Sequence, residues 1–207
     1  MEQKKYVISG IGTDVGKTVV SAIIAQALNA DYWKPIQSGE LDNSDSHKID
    51  RLTNDRVQVL PERFRLTEPL SPHASAAIDG VQLHLSQLTL PETKRNLLVE
   101  GAGGLMVPLN DTDLLIDAFK RWNLPVIIVS RHYVGSINHP LLTIEALKNR
   151  GITIKGLVYV GEENPATESF ILNHSYVPFL MRIPLVSEVT ANFVQQQAEL
   201  VKVFNCL

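Results

Sequence analysis

The chain has 207 residues, 44% of them hydrophobic and 20% charged. That suffices for one domain with a sizeable core and is too short for two ordinary ones. The formal net charge of −3 argues against a dedicated duplex nucleic-acid binder, which carries a basic face.

The N-terminal stretch MEQKKYVISGIGTD loses its apolar run to Gly, Thr and Asp almost at once, so it makes a poor signal peptide. Next come apolar runs that do not alternate: YVISGI (6–11), NLLVEG (96–101), PVIIVS (125–130) and IKGLVYV (154–160). Such runs suit parallel strands buried on both faces. YWKPI (32–36) and FLMRIPLV (179–186) are weaker strand candidates. Helical spacing marks 17–30, 113–122, 139–151 and 189–204. Residues 39–95 are irregular, rich in charge and proline, and expected to run over the surface with substrate-facing loops. Alternating strands and helices predict an α/β fold, a mainly parallel central sheet flanked by helices, as one domain over 1–207. No apolar run approaches the roughly 20 residues of a membrane helix. The single cysteine, Cys206, fits a reducing cytoplasm. The expectation is a cytoplasmic protein with no nucleic-acid or membrane partner.

GIGTDVGKT (10–18) joins the first strand to the first helix. A strand, a glycine-rich turn and an immediate helix suit phosphate: backbone N–H groups converge on the anion and the helix dipole adds positive potential. Lys17 can reach the β- and γ-phosphates, and the Thr18 hydroxyl can sit on Mg²⁺. The usual loop has four residues between its first Gly and Gly-Lys-Ser/Thr; here residues 11–15 intervene. The extra residue makes a variant loop, a P-loop NTPase-like feature.

Other stretches are more specific. KPIQSG (34–39), NSD (43–45), SPHASAA (71–77), VEGAGG (99–104), PLND (108–111) and VGSINHPLLT (134–143) follow in this order. Together with GIGTDVGKT they resemble the dethiobiotin synthetases, from about residue 6 to 160. That family's phosphate loop also carries the extra residue.

The resemblance implies ATP as co-substrate, Mg²⁺ as cofactor, and 7,8-diaminononanoate and CO₂ as the other reactants. It implies a homodimer with shared sites. Lys17 and Lys34 would be catalytic, at the carbamate and the transferred phosphate; without the resemblance, Lys34 reads as an ordinary lysine before a turn. Both are expected outside the core. Thr13, Ser38 and Gly103 would contact the substrate, and Ser136, Ile137 and Asn138 would serve the partner's site. Gly12, Asp14, Val15, Gly16, Lys17, Thr18, Val19, Glu100 and Pro184 would line the nucleotide. Asp14 stands where relatives often carry Glu. Thr18, Asp45 and Glu100 would hold the metal; judged alone, Asp45 reads as a helix cap rather than a ligand, whereas Glu100 ends a buried strand where ligands gather. Gly101, Gly103 and Gly104 would admit the substrate closely. The histidines lack zinc spacing, and His73 and His139 suit packing or loop hydrogen bonds. Many relatives read adenine with an Asn where this chain has Val160, which implies relaxed nucleotide choice. The alternative reading is a partition or cell-division switch ATPase on a related fold, although such proteins carry a lysine early in the loop where Ile11 and Gly12 stand.

Overall fold

The computed structural model describes residues 3–204, so Cys206 lies outside the described residues. The strands are β1 (Lys5–Gly10), β2 (Ala30–Trp33), β3 (Ile36–Ser38), β4 (Val59–Leu60), β5 (Phe64–Leu66), β6 (Asn96–Glu100), β7 (Val126–Arg131), β8 (Ile154–Val160) and β9 (Phe179–Ile183). The helices are α1 (Lys17–Leu28), α2 (Asp45–Thr53), α3 (Pro72–Ile78), α4 (Leu115–Trp122), α5 (Asn138–Asn149), α6 (Pro165–Ser175) and α7 (Ala191–Phe204). Seven strands form one sheet in the order β4-β2-β6-β1-β7-β8-β9, and every pairing is parallel. β3 and β5 pair separately.

The strand sequences are apolar throughout because helices cover both faces of the sheet. Alternation then sorts side chains between two cores. Val7, Val99, Ile128 and Leu157 pack on one face with Phe119 of α4, Leu147 of α5 and Ile171 of α6. Ile8, Leu98, Val129 and Val158 pack on the other with Ile23 of α1, Ile49 of α2 and Val194 of α7. The parallel direction brings the ends of β1, β2 and β6 to one edge, where open α/β sheets bind ligands.

Several expected boundaries move. The stretch 32–36 is not one strand: β2 stops at Trp33, and Pro35, which has no N–H to offer the ladder, starts the turn into β3. α1 stops at Leu28 because Asn29 takes a left-handed conformation and its N–H caps Ala25 and Gln26. The last strand ends before Pro184. Residues 39–95 contribute more than surface. They hold α2 and α3, and Ile49, Leu66, Leu83 and Leu88 are fully buried. α6 was not anticipated, yet Asn164 accepts from the Thr167 N–H and Pro165 opens the helix, a standard start signal.

Candidate active site

The phosphate loop is shaped by its glycines. Gly16 has φ +95 and opens α1. A Cβ at Gly10 would stand 2.7 Å from both the Gly12 carbonyl oxygen and Val15 Cγ2, so the loop folds tightly over its own first residue. Val15 is buried in the core and Val19 packs against it, which leaves their backbone for a phosphate. The Lys17 ammonium donates to the Gly12 carbonyl at 2.9 Å. Burial, and then the neighbouring Lys34 charge, push the Lys17 pKa down despite Glu100, Asp45 and Asp14.

Glu100, the last residue of β6, is fully buried. Its Oε1 accepts from Thr18 Oγ1 at 3.2 Å and from Lys34 Nζ at 3.3 Å. Its Oε2 accepts from the Tyr32 hydroxyl at 3.1 Å. Lys34 also pairs with Asp45. Burial alone would lower the Lys34 pKa; the two carboxylates outweigh it and raise it. Burial would raise the Asp45 pKa, and Lys34 outweighs that to lower it. Burial, then the Glu100 charge, push the Tyr32 hydroxyl far above its ordinary value, so it stays a donor. Asp45 is not the helix cap. Ser44 takes that position, accepting from the His47 N–H, and frees the Asp45 carboxylate to face Lys34.

Beside this cluster opens a cavity of about 630 Å³. Thr13, Asp14, Lys34, Ser38, Asp45 and Gly103 are among its walls. Asp14 holds φ +56 and Gly103 φ +66. The buried Ser38 hydroxyl makes no hydrogen bond within the protein. Leu70 and Pro72, from the irregular segment, close one side.

Two expectations need correction. Lys17 and Lys34 are not outside the core: they are only 7% and 5% exposed. Gly101 does not open room for a substrate; a Cβ there would meet Phe119 Cζ at 2.8 Å, so the glycine lets α4 pack on β6. Gly104 does face the loop, its ideal Cβ 3.6 Å from the Gly10 carbonyl oxygen.

Ser136, Ile137 and Asn138 are absent from the cavity walls. They lie after β7, Ser136 and Ile137 on a turn and Asn138 at the start of α5; Ser136 is buried while Val134 and Ile137 are exposed. Pro184 follows β9 beside Leu185, which lies against Gly161. His73 bonds Ser71 and His139 bonds Tyr133. Tyr32 and Gln37 escaped sequence reasoning. Gln37 Oε1 accepts the Asp45 N–H at 3.3 Å and helps fix the start of α2. The available signal for Tyr32 was that a buried carboxylate requires donors.

The family model for an AAA domain matches residues 4–192. The chain is 54% identical over 181 residues to an ATP-dependent dethiobiotin synthetase BioD of Christiangramia forsetii, covering 87% of each chain. It is 45% identical over 204 residues to the same-named protein of Cytophaga hutchinsonii, covering 98% of each. Among solved structures, the cell division ATPase MinD of Pyrococcus furiosus aligns over 98% of this chain and 99% of its own, with TM-score 0.62 and 15% identity. A plasmid partition protein of Borrelia burgdorferi aligns over 99% and 96%, with TM-score 0.57 and 12% identity. The likeness to switch ATPases thus extends to the P-loop NTPase-like fold alone. No helix among the described residues is long and apolar enough to cross a membrane. With the relatives' identity spread over nearly the whole chain, and its paired lysines gathered at the phosphate loop, the chain belongs to the ATP-dependent dethiobiotin synthetase family.

Proposed function

We propose that the cavity beside Lys34 takes 7,8-diaminononanoate as its carbamate, formed with CO₂, next to the γ-phosphate of ATP. The observation that carries this is that Lys34, held by Asp45 and Glu100 beside the phosphate loop, lines one cavity with Thr13, Ser38 and Gly103. A carbamate oxygen attacks the γ-phosphorus and ADP leaves. The second amine then attacks the carbonyl carbon of the mixed anhydride, closes the cyclic urea and expels phosphate. Both reactants of the first step are anions, so catalysis rests on cations that hold them together. Lys17 and Lys34 are those cations. Thr13, Ser38 and Gly103 orient the carbamate end, while Gly12, Asp14, Val15, Gly16, Thr18 and Val19 receive the phosphates.

Thr18, Asp45 and Glu100 would hold Mg²⁺. The donors fit: they are hard oxygens, and the two carboxylates already share a cation, Lys34. When bound, the ion neutralises charge on the phosphate oxygens. Ser136, Ile137 and Asn138 complete the site of a second copy in a homodimer, a reading supported by the exposed Val134 and Ile137 and by the absence of all three residues from the walls of their own cavity. Pro184 flanks the base. Residues 1–207 act as one unit in the cytoplasm, without a nucleic-acid or membrane partner.

Lys17→Gln and Lys34→Leu each lower turnover at least about a hundredfold, the scale of one lost electrostatic contact. Turnover of the Lys34 variant within a few-fold of the parent, at saturating substrates, contradicts the assignment. Because Lys34 joins two carboxylates, its loss also costs about 3 kcal/mol of stability. Thermal unfolding and binding of ADP separate that effect from catalysis.

A further inference from the structure

Glu100 uses its two oxygens unequally. Oε1 faces the site, within reach of Thr18 at 3.2 Å and Lys34 at 3.3 Å. Oε2 turns inward to the Tyr32 hydroxyl at 3.1 Å. Tyr32 and Glu100 are both fully buried. The tyrosine lies on β2 opposite Leu98 of β6, two residues before Glu100, and its ring packs in the core with Ile8, Ile23 and Leu98. A ring held this way cannot follow the carboxylate if it rotates. Separating the pair would strand a hydroxyl and a charged oxygen away from water, a heavy penalty. Nothing in the phosphoryl-transfer scheme uses this contact.

We propose that Tyr32 is a metal-selectivity residue: by holding Glu100 Oε2 inward, it turns only Oε1 toward the site and would make the carboxylate a monodentate ligand. The proposal rests on the assignment of Glu100 to the metal. Mg²⁺ demands near-octahedral geometry and takes few protein oxygens, whereas Ca²⁺ accepts six to eight oxygens and readily takes both of a carboxylate. A Glu100 tied at one oxygen therefore suits Mg²⁺ and is a poor chelate for Ca²⁺. Tyr32 touches the carboxylate, not the ion, so it is a positioning residue. A role limited to satisfying a buried carboxylate would affect folding without changing the choice between two divalent ions.

The test measures binding of the β,γ-imido analogue of ATP by calorimetry, with Mg²⁺, with Ca²⁺ and with EDTA, for the parent, Tyr32→Phe and Glu100→Gln. The gain in analogue affinity on adding each ion is its coupling. In Tyr32→Phe, metal-free binding stays within about twofold and the ratio of Mg²⁺ to Ca²⁺ coupling falls about tenfold, the scale of one charge-assisted hydrogen bond. If that ratio holds in Tyr32→Phe while Glu100→Gln loses Mg²⁺ coupling, the selectivity role of Tyr32 is wrong and the metal assignment stands. If Glu100→Gln keeps full Mg²⁺ coupling, Glu100 is no ligand and both statements fail. Should Tyr32→Phe not fold, the unmodified protein decides: stronger coupling to Mg²⁺ supports the proposal, and equal coupling to the two ions overturns it.

Discussion

At the scale of single residues, the glycines of the phosphate loop set its backbone. GIGTDVGKT folds as the glycines require: Gly16 adopts a left-handed conformation that only glycine takes without strain. Side-chain direction was less legible. Lys34 follows a strand and precedes a proline, and by pattern alone such a lysine faces water. The buried Glu100 and the half-buried Asp45 draw it inward instead. Val160 marks the opposite case, a residue whose absent chemistry matters. Its side chain is 7% exposed, and an added Cβ at Gly16 would touch it at 3.2 Å. It packs against the phosphate loop and has no polar group to pair with the edge of a base. Losing such a contact typically costs about 1 kcal/mol or more of discrimination. Phosphate contacts are blind to the base, so GTP or CTP should support turnover within roughly tenfold of ATP, about 1.4 kcal/mol. Turnover with the four nucleoside triphosphates measures this; an ATP preference above about a thousandfold, near 4 kcal/mol, contradicts it.

At the scale of elements, the main strands were legible because burial on both faces writes continuous apolar runs. Short elements were not: β4, β5 and α3 owe their existence to tertiary partners more than to periodicity. α6 is anchored by charge. Glu168 accepts from Arg182 Nη2 at 2.7 and 2.6 Å, and it lies 2.7 Å from His132 Nε2. Arg182 also donates to the Gly161 and Glu162 carbonyls at 3.2 Å. The knot ties β9 to the turn after β8 and to the start of the turn after β7. Tyr159 stacks on His132, and burial, then Glu168, push its hydroxyl pKa up to about 12. Burial would raise the Glu168 pKa; the hydrogen bonds from Arg182 Nη2, the Asn164 N–H and His132 outweigh it and hold the carboxyl below its usual range. The unfolded value is about 4.3. The ionised knot therefore stabilises fully above that pH and loses its contribution as pH falls through the lower folded value. Glu168→Gln should cost about 2 kcal/mol at neutral pH. The gap to the parent should narrow below about pH 4. Denaturant unfolding across that range checks both statements; a gap that stays constant to about pH 2 would mean Glu168 contributes without its charge.

At the scale of the whole molecule, the layered fold was legible from alternating strands and helices. A shared site is an expectation that comes from the resemblance to the family, since nothing in the cavity of a single chain registers a residue that would serve a neighbour. Ser136, Ile137 and Asn138 do not line the cavity of their own chain. If they complete the cavity of a second copy, an inactive Lys17 variant mixed with an inactive Asn138 variant regains activity through hybrid dimers. No recovery despite demonstrated subunit exchange would mean self-contained sites. The fold shared with MinD and partition ATPases leaves one comparison that separates the two chemistries most directly: ATP hydrolysis measured together with product. Synthetase chemistry predicts that ADP release depends on 7,8-diaminononanoate and bicarbonate together, with one dethiobiotin formed per ATP consumed. Hydrolysis indifferent to the diamine and stimulated by DNA or membrane, with no cyclic urea formed, would contradict it.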